Sequence, residues 1–460
     1  MTDKISTPVY RRIIDDFAKE IDIKKEPGNV PEHDVIEFRN DRVLKKARPI
    51  FLVPVKLLRF RKDNGRIASD ITSYEKQHGP LDETLESTQE IIRKFLNAKD
   101  EENNTKLSKS IELAGQNHAA IITCDGFLIN GNRRKMAIEA LYEKKQDNKY
   151  STMKVVILPG KDDKDGGPPT IKEIEQIENR YQLQSDGKSE YTNFDRAISI
   201  QRKINSGMSL KEQLLDDPTY VGLSEKEFNK VIQKYKEEFL GPLECIDRYL
   251  DQLDRNGLYD NISEGRADRE GRWYSFIDYY KVYKQLQDEK RRIELGVEED
   301  QVGELEDVAF KIIRQKDFPE YKTHEVIRKL PKILKKGGAA KKELMKIQGA
   351  PNKLKGNYND EDDPKSIDKH WAKENGPFIV ARVKEAIRRS DYEEGIEGPL
   401  NLLDDALKKL NHKDMIAENL DIHKADEALK KTQQIQERAA ELEAEFDHLR
   451  YEFKKLLKKK

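Results

Sequence analysis

The apolar positions of this chain keep two different rhythms, and the change between them divides it. From residue 51 to residue 158 short apolar runs alternate with amphipathic stretches. Phe51-Leu52-Val53-Pro54-Val55-Lys56-Leu57-Leu58 predicts a strand, and Pro54, which has no N–H for a ladder, points to an edge or irregular one. Leu81, Leu85, Ile91, Ile92 and Phe95 recur at helical spacing, a polar break follows at 100–104, and Leu107–Ala114 is a short helix closed by Gly115. The run from Ile121 to Ile129 predicts strand, tight turn and second strand. Met136, Ala137, Ala140 and Leu141 then share one helix face, and Met153–Leu158 is a further strand.

Past the linker 160–169 the rhythm is helical almost throughout. Thr170-Ile171-Lys172-Glu173 has capping-box spacing. Phe194, Ala197, Ile198 and Ile204 mark one helix, Leu210, Leu214 and Leu215 another, and Ser224 caps a third carrying Phe228, Val231, Ile232 and Tyr235. These helices could form a helix-turn-helix, although the pattern alone favours an ordinary bundle. The aromatics Trp273, Tyr274, Phe276, Tyr279, Tyr280 and Tyr283 predict core packing of a helix pair. Near the C-terminus Ile435, Ala439, Leu442, Phe446, Leu449, Phe453 and Leu456 are spaced alternately four and three, which is a heptad seam.

The expected fold is therefore α+β. A small mixed α/β domain spans 48–165 after an N-terminal arm at 1–47, in which Val9–Phe17 predicts one or two helical turns. Mostly helical domains follow at 170–260 and 261–365, and a C-terminal coiled-coil-like segment at 366–460 offers a homodimer contact or a seat for a helical partner.

Composition narrows the setting. In 460 residues no run of about 18 apolar side chains occurs. Met1-Thr2-Asp3-Lys4 lacks the apolar core of a signal peptide, and the two cysteines, Cys124 and Cys245, lie too far apart to suggest a disulfide framework or a cysteine-based zinc site. A cytoplasmic protein with no membrane partner is expected. Charged residues make up 38% of the chain, yet the net charge is −1, so any nucleic-acid surface must be a local patch. The best candidate is the basic run that includes Lys335, Lys336, Lys341, Lys342 and Lys346, a phosphate-binding patch for DNA or a solvated helix face. An acidic stretch, Asp360-Glu361-Asp362-Asp363, ends that region.

The candidate chemistry gathers at Gly131-Asn132-Arg133-Arg134. Glycine lets the backbone approach a ligand closely, Asn132 is a candidate N-cap, and the first N–H groups of the helix lie beside two arginines. That combination suits phosphate. A hairpin turn followed by a basic amphipathic helix accounts for the same residues.

The run LSKSIELAGQNHAAIITCDGFLINGNRRKMAIEAL, from Leu107 to Leu141, followed by Met153–Leu158, resembles the N-terminal domain of the ParB/sulfiredoxin superfamily over roughly residues 50–160. Gly131, Arg133, Arg134 and Ala137 match its Gly-Glu-Arg-Arg-x-x-Ala box, with Asn132 in place of glutamate. In ParB proteins this box binds nucleotide phosphates, normally those of CTP. The resemblance implies that Glu178-Asn179 corresponds to a Glu-Asn-x-x-Arg segment that helps hold Mg²⁺ and phosphate; Gln182 replaces its arginine, which weakens the case for hydrolysis. Asn64-Gly65-Arg66 sits where such proteins often carry an Asn-x-Arg segment lining the nucleotide pocket, which makes Arg66 a further candidate. Sulfiredoxin activity is not expected: its motif is Gly-Cys-His-Arg, and here Asn132 and Arg133 stand at the thiol and imidazole positions.

The leading expectation is thus a ParB-like protein that binds CTP or ATP, associates with DNA and acts as a nucleotide-gated clamp. The alternatives are a ParB-like nuclease or NTPase of a mobile element or defence system, and a non-catalytic adaptor on the same fold.

Overall fold

The computed structural model describes residues 9–457 apart from 28–31, 37, 42, 100, 164–165, 184–191, 216, 221, 260–261, 263–264, 337 and 354–363. The acidic stretch 360–363 therefore lies outside the described residues. The chain divides into two compact units, Met1–Arg389 and Ser390–Lys460.

The first unit begins with a six-stranded mixed sheet. Its strands are β1 (Glu26–Pro27), β2 (His33–Asp34), β3 (Arg48–Pro54), β4 (Ala120–Ile122), β5 (Leu128–Asn130) and β6 (Thr152–Ile157), in the order β1-β3-β6-β4-β5 with β2 also on β3. β6 runs antiparallel to β3 and parallel to β4. Side chains alternate between two buried faces. On one face Val53, Ile122 and Val155 pack with Ile92, Leu96, Ile111, Met136 and Leu141. These come from α3 (Glu86–Lys99), α4 (Glu101–Ala114) and α5 (Asn132–Lys145), which join α1 (Asp15–Lys24) and α2 (Ala68–His78) in this region. On the other face Ile121, Ile129 and Val156 meet Ile36, Phe38 and the apolar side of α6 (Ile171–Leu183), Ile174 and Ile177.

Three local expectations change. β3 is interior, because β1 and β2 pair along one side of it and β6 along the other. Its prolines stand near the strand ends, where the missing N–H disturbs little of the ladder. The polar stretch after residue 100 is the first turn of α4. The helix expected at Val9–Phe17 starts only at Asp15, because the residues before it are held by side chains and backbone of the sheet domain. Ile171 N–H donates to Val9 O at 2.9 Å, and Asp125 takes Arg11 at 2.8 Å and the Ile14 N–H at 3.0 Å. With Ile36 and Phe38 buried under the sheet, the arm is part of this domain.

The helical part follows with α7 (Asn193–Asn205), α8 (Leu210–Leu215), α9 (Glu225–Tyr235), α10 (Gly241–Gln252), α11 (Gly265–Gln287), α12 (Glu289–Glu294), α13 (Gln301–Gln315), α14 (Thr323–Lys336) and α15 (Gly338–Met345). Both capping boxes form: Thr170 with Glu173, and Ser224 with Glu227. Trp273, Phe276 and Tyr279 of α11 are buried, with Phe194 edge-on to Trp273 at 4.8 Å, so this stripe is core. α16 (Pro364–Leu410) sends Trp371, Ile379, Val383 and Ile387 into the same core, so the compact first unit extends to Arg389.

In the second unit α16 continues to Leu410, short 3₁₀ turns follow, and α17 (Ala425–Leu457) carries the heptad seam. Among the described residues no helix is long and apolar enough to cross a membrane.

Candidate functional site

The β4–β5 hairpin delivers the chain to Gly131, which has φ +99° and is itself the N-cap of α5. A left-handed backbone here requires glycine. A Cβ would also stand 2.6 Å from the Ala120 Cβ. Asn132 is therefore the first helical residue and not the cap, and no side chain caps this helix start. The Asn132 Oδ1 is shielded from solvent and accepts no hydrogen bond among the described residues.

The two arginines have different surroundings. Arg133 is half-buried in the first turn. Arg134 turns back over the sheet: its guanidinium donates to Ala119 O at 2.8 Å and also to His118 O and Asn130 Oδ1. Burial pushes its pKa down to about 10, with Arg133 adding repulsion and Tyr181 opposing the shift. It remains charged at neutral pH and ties α5 to the start of β4.

A second helix start lies at Asn64-Gly65-Arg66, where a 3₁₀ turn runs into α2. Asn64 Oδ1 accepts the Arg66 N–H at 2.9 Å, and Glu178 Oε1 accepts the Gly65 N–H at 2.9 Å. The half-buried Arg66 guanidinium makes no hydrogen bond or ion pair among the described residues. α6 is the common wall. It packs on β5, the strand that leads to Gly131, and it carries Glu178 to Gly65 and Tyr181 near Arg134.

Glu178 and Asn179 sit in a buried charge cluster. Arg61 lies 3.1 Å from Glu175 and 3.6 Å from Glu178, and Arg202 lies 3.4 Å from Glu175. Lys203 Nζ is 3.4 Å from Asn179 Oδ1, while Asn179 Nδ2 donates to Gln213 O at 2.8 Å. Burial acts to raise the Glu178 carboxyl, but Arg61, Lys203 and Arg202 outweigh it and hold the group below its ordinary value. Burial pushes Lys203 below the usual lysine value against the pull of Glu175 and Glu178. This donor set does not fit Mg²⁺. The carboxylate and the amide oxygen already face cations, and among the described residues no three His, Cys, Asp or Glu side chains stand together as metal ligands.

Burial, with Asp125 nearby, raises the Cys124 thiol to about 11, which disfavours the thiolate that a nucleophile needs.

The basic run is less open than its sequence. Lys335 and Lys342 are exposed. Lys341 donates to Gln301 Oε1 at 2.8 Å and to Gly296 O, and Lys346 pairs with Glu343 at 2.7 Å. The side chain of Lys336 lies outside the described residues.

Two groups escaped the sequence reading. Arg61, Glu175 and Lys203 are ordinary charged residues until folding brings three segments together. On α9, Lys226, Asn229, Lys230 and Gln233 are all exposed at helical spacing on one side. That polar face lies opposite the buried Phe228 and Tyr235, and its helical spacing was readable in the sequence. A cavity lined by Tyr10, Arg11, Arg12, Ile14, Lys161 and Pro168 involves none of the candidate residues.

No family model, no curated protein and no solved structure matches the chain.

Proposed function

We propose that the chain is a ParB-like nucleotide-binding, DNA-associated protein in which the helix start at Gly131–Arg133 receives a phosphate of CTP or ATP, with Arg66 from the second helix start facing the same ligand. The observation that carries this reading is α6, which borders both helix starts and continues into the helical part through Asn179 and Gln213. The uncapped N–H groups of α5 and the unengaged Arg66 guanidinium form a donor-rich surface suited to an anion. Arg134 acts as the brace that orients α5. No magnesium ligand from this chain is part of the proposal. A ligand bound against α6 would bias how α6 and α7 pack on residues 61–66, and so how the exposed face of α9 is presented to DNA.

Calorimetric titration of the full chain with CTP, ATP, GTP and UTP tests this. Binding should be lost in Arg133→Ala and weakened in Arg66→Ala. Absence of binding to every nucleotide, or binding indifferent to both substitutions, refutes it. DNA association is read separately from the salt dependence of a mobility shift, which Lys226→Ala plus Lys230→Ala should flatten.

The adaptor reading has one specific observation in its favour. Glu178 already occupies the Gly65 N–H, and Arg134 already uses its donors on the framework. A scaffold that binds no nucleotide would look the same at those two points.

A further inference from the structure

The seam on α17 is a continuous apolar stripe that the described residues leave largely open to water. Ile435 is 47% exposed, Leu449 69%, Phe453 63% and Leu456 63%. Ala439 is exposed as well, Leu442 is half-covered and Phe446 is 39% exposed. The helix is 33 residues long, roughly 50 Å at the usual rise per residue. A solitary water-exposed helix with such a stripe is poorly stabilised by propensity alone, and a partner helix is what a strict 3.5-residue repeat fits.

The flanking charges identify the partner. The spacing of four then three sets Ile435, Leu442, Leu449 and Leu456 at d, and Ala439, Phe446 and Phe453 at a. The g positions are then Arg438, Glu445 and Glu452, and the e positions are Gln436, Glu443 and Arg450. In a parallel, in-register pair each g residue faces the e residue five positions on in the other helix. Arg438 then meets Glu443 of the second copy, and Glu445 meets Arg450. Each contact occurs twice by symmetry, and every charged e–g pair formed is of opposite sign. Within one chain Arg438 is at present shared between Glu441 at 2.8 Å and Glu445 at 3.3 Å, exposed contacts that are easily exchanged.

We infer that α17 is the parallel, in-register two-stranded coiled coil of a homodimer, with the Ile435–Leu456 seam buried against a second copy of this chain. Leucine at successive d positions suits two strands, and the phenylalanines at a form the wider layers. The inference is independent of nucleotide binding.

The test uses the full chain. Sedimentation equilibrium at micromolar concentration should give twice the chain mass, and Phe446→Asp should give the single-chain mass with an unchanged far-UV signal from the rest of the molecule. Arg438→Glu places like charges opposite each other at two symmetric contacts and should weaken the dimer about tenfold; Arg438→Glu with Glu443→Arg should restore it. Orientation is read with Ala439→Cys in a Cys124→Ser background: it should cross-link to its own copy under mild oxidation, while the Cys124→Ser chain without it, whose Cys245 is buried, should not. An antiparallel pair that aligns residue 439 with residue 449 would hold the two copies of position 439 roughly 15 Å apart along the axis and prevent that bond. A monomer at all concentrations overturns the inference, as does a dimer in which Ala439→Cys fails to cross-link to itself or the charge swap fails to rescue.

Discussion

Gly131→Ala is the sharpest test of how the candidate site is built. Two separate costs follow from the geometry. The residue sits at φ +99°, where an L side chain is strained by about 1–2 kcal/mol. The added Cβ would also lie 2.6 Å from the Ala120 Cβ on the buried strand β4, and such overpacking costs about 1–3 kcal/mol. The sum is about 2–5 kcal/mol, concentrated where β4, β5 and α5 meet. A chain with several cooperative parts need not unfold in one step, so the suitable readout is hydrogen exchange of amides in 120–145. Their protection should fall by that amount while amides of α11 and α13 keep theirs. Pairing the change with Ala120→Gly removes the contact but not the strain, so the double variant should recover about 1–3 kcal/mol of coupling. A loss below about 1 kcal/mol in Gly131→Ala, or no coupling to Ala120, would refute the account of this helix start.

Three further outcomes are expected. Asp125→Asn removes the charge that takes Arg11 at 2.8 Å and the Ile14 N–H at 3.0 Å; it should cost about 3 kcal/mol and expose the segment before α1 to limited proteolysis, whereas an unchanged cleavage pattern would mean that segment is held by other contacts. Glu178 is held below its ordinary value in the folded protein, so its stabilisation is fully present above the unfolded value of about 4.3 and is lost as pH falls through the lower folded value. Glu178→Gln should therefore be the less stable protein at neutral pH and lose less on acidification, and parallel acid-unfolding limbs in the two proteins would contradict this. Cys124, with its thiol at about 11, should react with iodoacetamide at pH 8 much more slowly than an unperturbed thiol, and an ordinary rate would show that the half-buried setting is wrong.

What the sequence disclosed and what it hid separate by range. Thr170–Glu173 and Ser224–Glu227 close within four residues, so their caps were readable, as was the seam on α17. That strands alternate with helices up to residue 158 and that helices follow was legible from period alone. The N-cap of α5 was misplaced by one residue because a side-chain cap at Asn132 and a left-handed glycine at Gly131 leave the same local pattern; only the packing on Ala120 decides between them. The interior position of β3 was hidden because its neighbours β1 and β2 are only two residues long and carry no strand signature. The basic run looked uniform because sequence counts lysines without their partners, such as Gln301 for Lys341 and Glu343 for Lys346. The cluster of Arg61, Glu175, Glu178 and Lys203 joins residues from three separate stretches, and no spacing rule connects them.

That cluster supplies the experiment that best separates the roles open to Glu178. Its carboxylate accepts the Gly65 N–H, the position at this helix start that a bound phosphate would otherwise take. If Glu178 were a metal ligand for the nucleotide, removing its charge would weaken nucleotide binding in the presence of Mg²⁺. If instead it stands in for an anion, Glu178→Gln leaves an amide oxygen for Gly65 but takes one negative charge away from Arg61, Arg202 and Lys203. Those cations would then be matched less fully, by Glu175 and the exposed Asp63 among others, and the surface beside Arg66 would favour an added negative charge more strongly. One unit charge a few ångströms away at a partly buried site is worth more than 1.4 kcal/mol before screening, so affinity for CTP or ATP should rise about tenfold, with or without Mg²⁺. A Mg²⁺-dependent loss would restore Glu178 as a ligand. A change of less than about threefold in either direction would detach this helix start from the nucleotide and leave Gly131–Arg133 to act without it.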